Sequence, residues 1–155
     1  MPPAGLDAKA KKTAAEGLSK LLADTYAVYL KTHGYHWNVR GPNFAQLHQL
    51  FMTQYTEMWT AIDEVAERIR ALGELAPQGY GAFGNLSSIK DGDPAQNAEG
   101  MLKDLIASHE ALIATLYAIL PAAQEAGDEV TASLVSDRML AHEKHLWMLR
   151  SSLET

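Results

Sequence analysis

Glycine and proline crowd into one stretch of this 155-residue chain and are sparse in the long runs on either side. Gly73, Pro77, Gly79, Gly81, Gly84, Gly92 and Pro94 all fall within residues 73–94. Proline lacks a backbone donor and glycine adds backbone freedom, so no long helix can cross that stretch. Outside it, apolar residues recur at three- and four-residue steps, the period of a helix with one buried face. In residues 43–72 these are Leu47, Leu50, Phe51, Met58, Ile62, Val65, Ile69 and Leu72, opened by Gly41-Pro42-Asn43 and stopped by Gly73. Before this run, Leu18, Leu21, Leu22, Ala27, Val28 and Leu30 predict a helix over about residues 7–33. After the loop, Met101, Leu102, Leu105, Ile106, Leu112, Ile113, Leu116 and Leu120 predict a third long helix over about residues 94–126. Pro94 suits its first turn, and Pro121 should kink or interrupt it. Gly127 closes it, and a fourth helix runs over about residues 129–153. The pattern is all-α, and the length fits one domain, residues 1–155, able to bury its own core. Residues 1–6, with two prolines, are expected to form a flexible tail.

Metal-ligand residue types gather around the second helix. His36 opens His36-Trp37-Asn38-Val39-Arg40-Gly41-Pro42, His48 follows, and Asp63 and Glu67 sit in Asp63-Glu64-Val65-Ala66-Glu67-Arg68. The chain has no cysteine, so imidazole and carboxylate must carry any metal chemistry. Both suit a divalent first-row metal. Asp63 and Glu67 are one turn apart on one helical face. His48 lies about 22 Å from Asp63 along the axis at ~1.5 Å per residue. Metal–ligand bonds are roughly 2 Å long, so one copy of the helix cannot offer both to one ion. Two antiparallel copies across a twofold axis near Tyr55 or Thr56 can, in the commonest symmetry of soluble oligomers. Spacing alone leaves a second reading open, in which Asp63 and Glu67 belong to a solvated face paired with Arg68 and Arg70.

Together with Leu47-His48 and Leu72-Gly73, these motifs resemble the Dps family of mini-ferritins, the DNA-binding proteins from starved cells. The resemblance covers most of the chain and extends to Leu86-Ser87-Ser88-Ile89, Gly127-Asp128-Glu129-Val130-Thr131, His142-Glu143-Lys144 and Trp147-Met148-Leu149-Arg150. It implies a ferritin-like four-helix bundle with a short extra helix, near residues 83–88, in the long crossover between the second and third helices. It also implies that His36, His48, Asp63 and Glu67 bind iron at a ferroxidase centre shared by two subunits. Fe(II) would be oxidised there, with hydrogen peroxide as the usual family oxidant and oxygen as the other choice. Ferric iron would be stored inside a hollow dodecamer, protecting against oxidative stress. One position departs from the family pattern, which places Asp or Glu four residues after the second histidine. Here that residue is Met52. A thioether is a soft, neutral ligand poorly matched to iron among oxygen donors, so the second iron position loses a ligand and a charge.

Charge and motif counts sort the alternatives. The net charge of −6 argues against strong nonspecific DNA binding, which depends on lysine and arginine neutralising phosphates. Lys9, Lys11, Lys12 and Lys20 form a solvent face or a weak basic patch, and a nucleoid-compacting DNA binder is the alternative function. A haem-and-di-iron bundle would carry two Glu-x-x-His motifs, and this chain has none. No basic leader with an apolar run opens the chain, and no apolar run near ~20 residues is expected to span a membrane. The expected location is therefore cytoplasmic. His142 and His145 are read as structural, or as a substitute for the missing acid at position 52. His33 is read as a surface residue ahead of a group beside the metal ligands, His109 as a core histidine, and Trp37, Trp59 and Trp147 as packing, with Trp37 close to any metal held by His36. Asp128, Glu129 and Asp137 line an acidic pore at a threefold axis or favour a helix N-terminus; the sequence supports both.

Overall fold

The computed structural model describes residues 5–154, and the tail expected over residues 1–6 falls mostly outside them. Five helices follow in order: α1 Ala8–Asn38, α2 Phe44–Ala71, α3 Tyr80–Leu86, α4 Ala98–Glu125 and α5 Glu129–Leu153. No strand occurs among the described residues. α1 lies against α2 and α4 against α5, while α1 also meets α4 and the short α3. The fold is the expected all-α four-helix bundle, with α3 in the crossover between its second and third long helices.

Several boundaries move from expectation, each for a local reason. α1 runs past Gly34 to Asn38, so His36 lies on the helix and not in the turn. An interior glycine costs about 1 kcal/mol relative to alanine. Burial of Tyr35 and His36 on the bundle side offsets that. α4 begins at Ala98 and not at Pro94, because the Asn97 side chain accepts the Gly100 N–H (2.8 Å) and caps the helix there. α3 lies a turn earlier than expected. Pro121 does not interrupt α4, which continues to Glu125. The carbonyl it leaves without a donor belongs to Tyr117, an exposed residue. Leu30, expected on the buried stripe, is exposed beside the groove between α1 and α3. By length and composition α4 is apolar enough to cross a membrane, which corrects the expectation that no such run exists. Its Met101, Leu102, Leu105, Leu112 and Leu116 are buried in the bundle core.

The core has two apolar clusters with a polar layer between them. One holds Leu18, Leu22, Met58, Val65, Leu112 and Val135; the other holds Tyr35, Phe51, Met101, Leu105 and Leu149. Between them along the helices lie Gln54, His109, Arg138 and His142, all buried. A buried carboxylate of α1 fastens both the crossover and α4. Asp24, without solvent exposure, accepts hydrogen bonds from the Ser88 N–H (2.8 Å), the Ser87 hydroxyl (3.0 Å) and the Thr115 hydroxyl (2.7 Å). Farther along, the Gln96 side chain donates to the Tyr35 hydroxyl (2.9 Å), and Arg40 donates to the Gln96 carbonyl (3.0 Å). These contacts fix the end of α1 that carries His36.

Candidate metal centre

α1 ends and α2 begins within a few residues, so the last turn of one helix lies beside the first turns of the other. Gly41 permits this reversal, with φ of 117°, a conformation that a side chain disfavours. His36 and His48 meet across the junction. Their rings stack with centroids 3.7 Å apart and planes inclined by 16°. The His36 Nδ1 lies 2.7 Å from the His48 carbonyl, and the His48 Nδ1 lies 2.7 Å from the His36 carbonyl. A carbonyl only accepts, so both Nδ1 atoms carry the proton and donate. In the neutral imidazole this tautomer leaves each Nε2 lone pair free, as in a metal-ligating histidine whose other nitrogen is held by a backbone acceptor.

Stacking adds a further constraint. A ring lone pair lies in the plane of its ring, so two nearly parallel rings address positions in two separate planes. The pair suits two neighbouring ions better than one shared ion, and two-metal sites space their ions about 3.5–4 Å apart. Phe44 stacks on His48 (5.1 Å), and Tyr55 meets the edge of His36 (5.2 Å). His33, expected at the surface, is half-buried between Trp37 (4.2 Å) and Tyr55 (4.3 Å). Burial lowers its pKa, and the neighbouring His36 lowers it further. Sequence reasoning missed Phe44 and Tyr55 as walls of this site. The signal for Tyr55 was present, since it lies two turns along α2 from His48.

Asp63 and Glu67 are exposed, on the same helix but far from the histidines. Because α2 is continuous from Phe44 to Ala71, the ~22 Å estimate between His48 and Asp63 applies directly. Among the described residues, no group of three or more His, Asp or Glu side chains within one chain is arranged to hold a metal ion. The ion-paired reading of the carboxylates fails. Arg68 turns to Asp128 (2.9 Å) and Thr131 (3.1 Å), and Arg70 donates to the Glu74 carbonyl (2.8 Å). Among the described residues, neither Asp63 nor Glu67 has an ion-pair partner. The Glu67 pKa is raised, first by its hydrogen bond with Asp63 and then by the Asp63 charge.

The other candidates resolve as structure. His142 and His145 point into the bundle, where Arg138 donates to the His142 Nε2 (2.8 Å) and the His145 Nε2 donates to Glu57 (2.8 Å). Glu57 and Gln54, which contact this cluster, lie on a different face of α2 from the exposed Met52. Neither histidine therefore replaces the missing acid within its own chain. Since arginine only donates, the His142 Nε2 accepts and its Nδ1–H donates to the His109 Nδ1 (3.1 Å). The His109 Nε2–H is buried with no partner among the described residues. Asp128 caps α5 by accepting the Thr131 N–H (3.0 Å), the helix N-terminal role expected for it.

Residues 15–155 match a family model described as a ferritin-like domain. The chain is 37% identical over 142 residues to DNA protection during starvation protein 2 of Bacillus anthracis, across 92% of this chain and 97% of that one. It is 35% identical to the DNA protection during starvation protein of Brevibacillus brevis, across 88% of this chain and 92% of that one. Its fold is similar to the crystal structure of a Dps protein from Vibrio cholerae, with a TM-score of 0.93 and 34% identity over 97% and 94% of the two chains. That protein is described as a member of a broad superfamily of ferritin-like diiron-carboxylate proteins.

Proposed function

This chain belongs to the Dps branch of the ferritin-like family, and from that premise we propose that it is an iron-oxidising mini-ferritin. Fe(II) binds between two subunits, with His36 and His48 of one chain facing Asp63 and Glu67 of the other. Two Fe(II) ions give up one electron each, and one hydrogen peroxide takes both with two protons, breaking its O–O bond to leave two waters. The ferric product is stored within a hollow dodecamer, which removes peroxide and iron together and so protects against oxidative stress.

The observation that carries this reading is the locked pair His36 and His48, with both Nδ1 protons held by backbone carbonyls and both Nε2 lone pairs free. Iron fits the donors, since imidazole and carboxylate together suit a divalent first-row cation. The shared-subunit geometry is supported by the length of α2, which keeps the two ligand pairs apart within one chain. Exposed indoles support it too. Trp37 is 64% exposed and Trp59 58%, a large apolar area for a second copy to cover.

The test combines structure and titration. Crystals soaked anaerobically in Fe(II) should show metal between His36 and His48 of one chain and Asp63 and Glu67 of its neighbour. Metal ligated by all four residues of a single chain, or no metal there, contradicts the reading. Adding peroxide and oxygen separately to the Fe(II)-loaded protein, with ferric absorbance followed in the near ultraviolet, identifies the oxidant.

A further inference from the structure

Met52 is the most exposed methionine among the described residues, 36% accessible, while Met58 and Met101 are fully buried. Position 52 lies one turn from His48 on α2, so the two side chains share a face. His48 cannot swing away from that face. Its ring is sandwiched between His36 and Phe44, and its Nδ1 is held by the His36 carbonyl. The ring is therefore held in one orientation, and the flexible, polarisable thioether of Met52 lies one helical turn along the same face.

We propose that His48 and Met52 form a cuprous-ion site. Thioether sulfur selects soft Cu(I) over Fe(II), Mn(II) or Mg(II), and imidazole is an equally acceptable copper ligand. The chain has no cysteine, so no thiolate in the same protein outcompetes the pair. His36 addresses a different plane from His48, which leaves it free for a separate ion. Both ligands come from one chain, so the site does not depend on the iron reading or on a second subunit. It does share His48 with the proposed iron centre, and Cu(I) therefore displaces iron from the His48 position.

The experiment is a competition for Cu(I) against its bicinchoninate complex, under argon with ascorbate, on the assembled protein. Wild type should withdraw copper from the chelator. Met52→Leu, which preserves apolar volume, and Met52→Glu should both hold it more weakly, by at least the ~10-fold that even outer-shell losses cost a metal site. Circular dichroism checks that the variants fold. X-ray absorption at the copper edge should show a sulfur neighbour in wild type and none in Met52→Leu. Equal Cu(I) affinity in wild type and Met52→Leu, or no sulfur neighbour in wild type, overturns the proposal. A wild-type protein that oxidises Fe(II) yet takes no Cu(I) overturns the copper site alone. One that takes Cu(I) through sulfur yet does not oxidise Fe(II) supports the copper site and overturns the iron reading.

Discussion

Position 52 sets the hardness of the donors around His48. Its side chain is exposed in the single chain and can be exchanged there without opening the core of the bundle. Met52→Glu puts a charged oxygen one turn from His48, where a hard cation gains most. It should tighten Fe(II) binding and speed peroxide-driven oxidation, since both ions of a pair must be present to deliver two electrons together. Isothermal titration under anaerobic conditions, with stopped-flow absorbance after peroxide, measures both. An unchanged stoichiometry and rate in Met52→Glu would show that position 52 does not limit the proposed centre. His142 and His145 should not matter to that outcome, because their nitrogens are engaged with Arg138, His109 and Glu57 inside the bundle.

The crossover is held by one carboxylate, and the helices share one polar layer. Asp24→Ala removes the acceptor that Ser87, Ser88 and Thr115 use, leaving the buried Thr115 hydroxyl without its short hydrogen bond and releasing the partly buried serines. A buried unsatisfied group costs about 1–3 kcal/mol, so the variant should lose about that much. It should also expose the segment around α3 to limited proteolysis ahead of the four long helices. The polar layer makes stability depend on pH. Burial lowers the His109 pKa to about 3, helped by the His145 and Arg138 charges; burial, then Arg138, holds His142 well below its ordinary range. Both histidines stay neutral in the fold, whereas the unfolded chain takes up protons below pH ~6.5. Their contribution is therefore intact above ~6.5 and drains away as pH falls toward 3, by about 1.4 kcal/mol per pH unit for each histidine. Glu57 acts lower on the scale. Burial alone would raise its pKa, but hydrogen bonds from His145 and Arg138 outweigh that and bring it to about 2, so its contribution fades only below ~4.5. Urea unfolding between pH 7.5 and 5 should show the histidine slope, and His109→Gln should reduce it by about one proton.

For the whole molecule, charge and exposed apolar area point to assembly with its own kind ahead of nucleic acid. Lys9, Lys11 and Lys12 are exposed on the first turns of α1, against a net charge of −6. At about 0.15 M salt a gel shift should leave plasmid DNA free, because few phosphates can be neutralised. Stable retardation there would show that lysines summed over an assembly outweigh the net charge. Trp59→Glu places a charge on the face proposed to meet a second copy, and sedimentation should then report species smaller than the wild-type assembly.

The sequence by itself determined the number and order of the helices and the break between the second and third. Apolar periodicity and clustered glycine and proline act locally, and local rules read them. It also named His36, His48, Asp63 and Glu67 as candidates and implied, from the rise of a helix, that one copy cannot unite them. Tertiary structure decided what local rules cannot reach. Gly34 remains helical because Tyr35 and His36 are buried beyond it, and α4 starts at Ala98 because the Asn97 side chain before it finds its capping donor. His142 and His145 look like ligands in one dimension and become core groups once Arg138 and Glu57 fold against them. The readiness of His36 and His48 likewise exists only after folding, since each ring is oriented by the carbonyl of the other residue, twelve positions away along the chain.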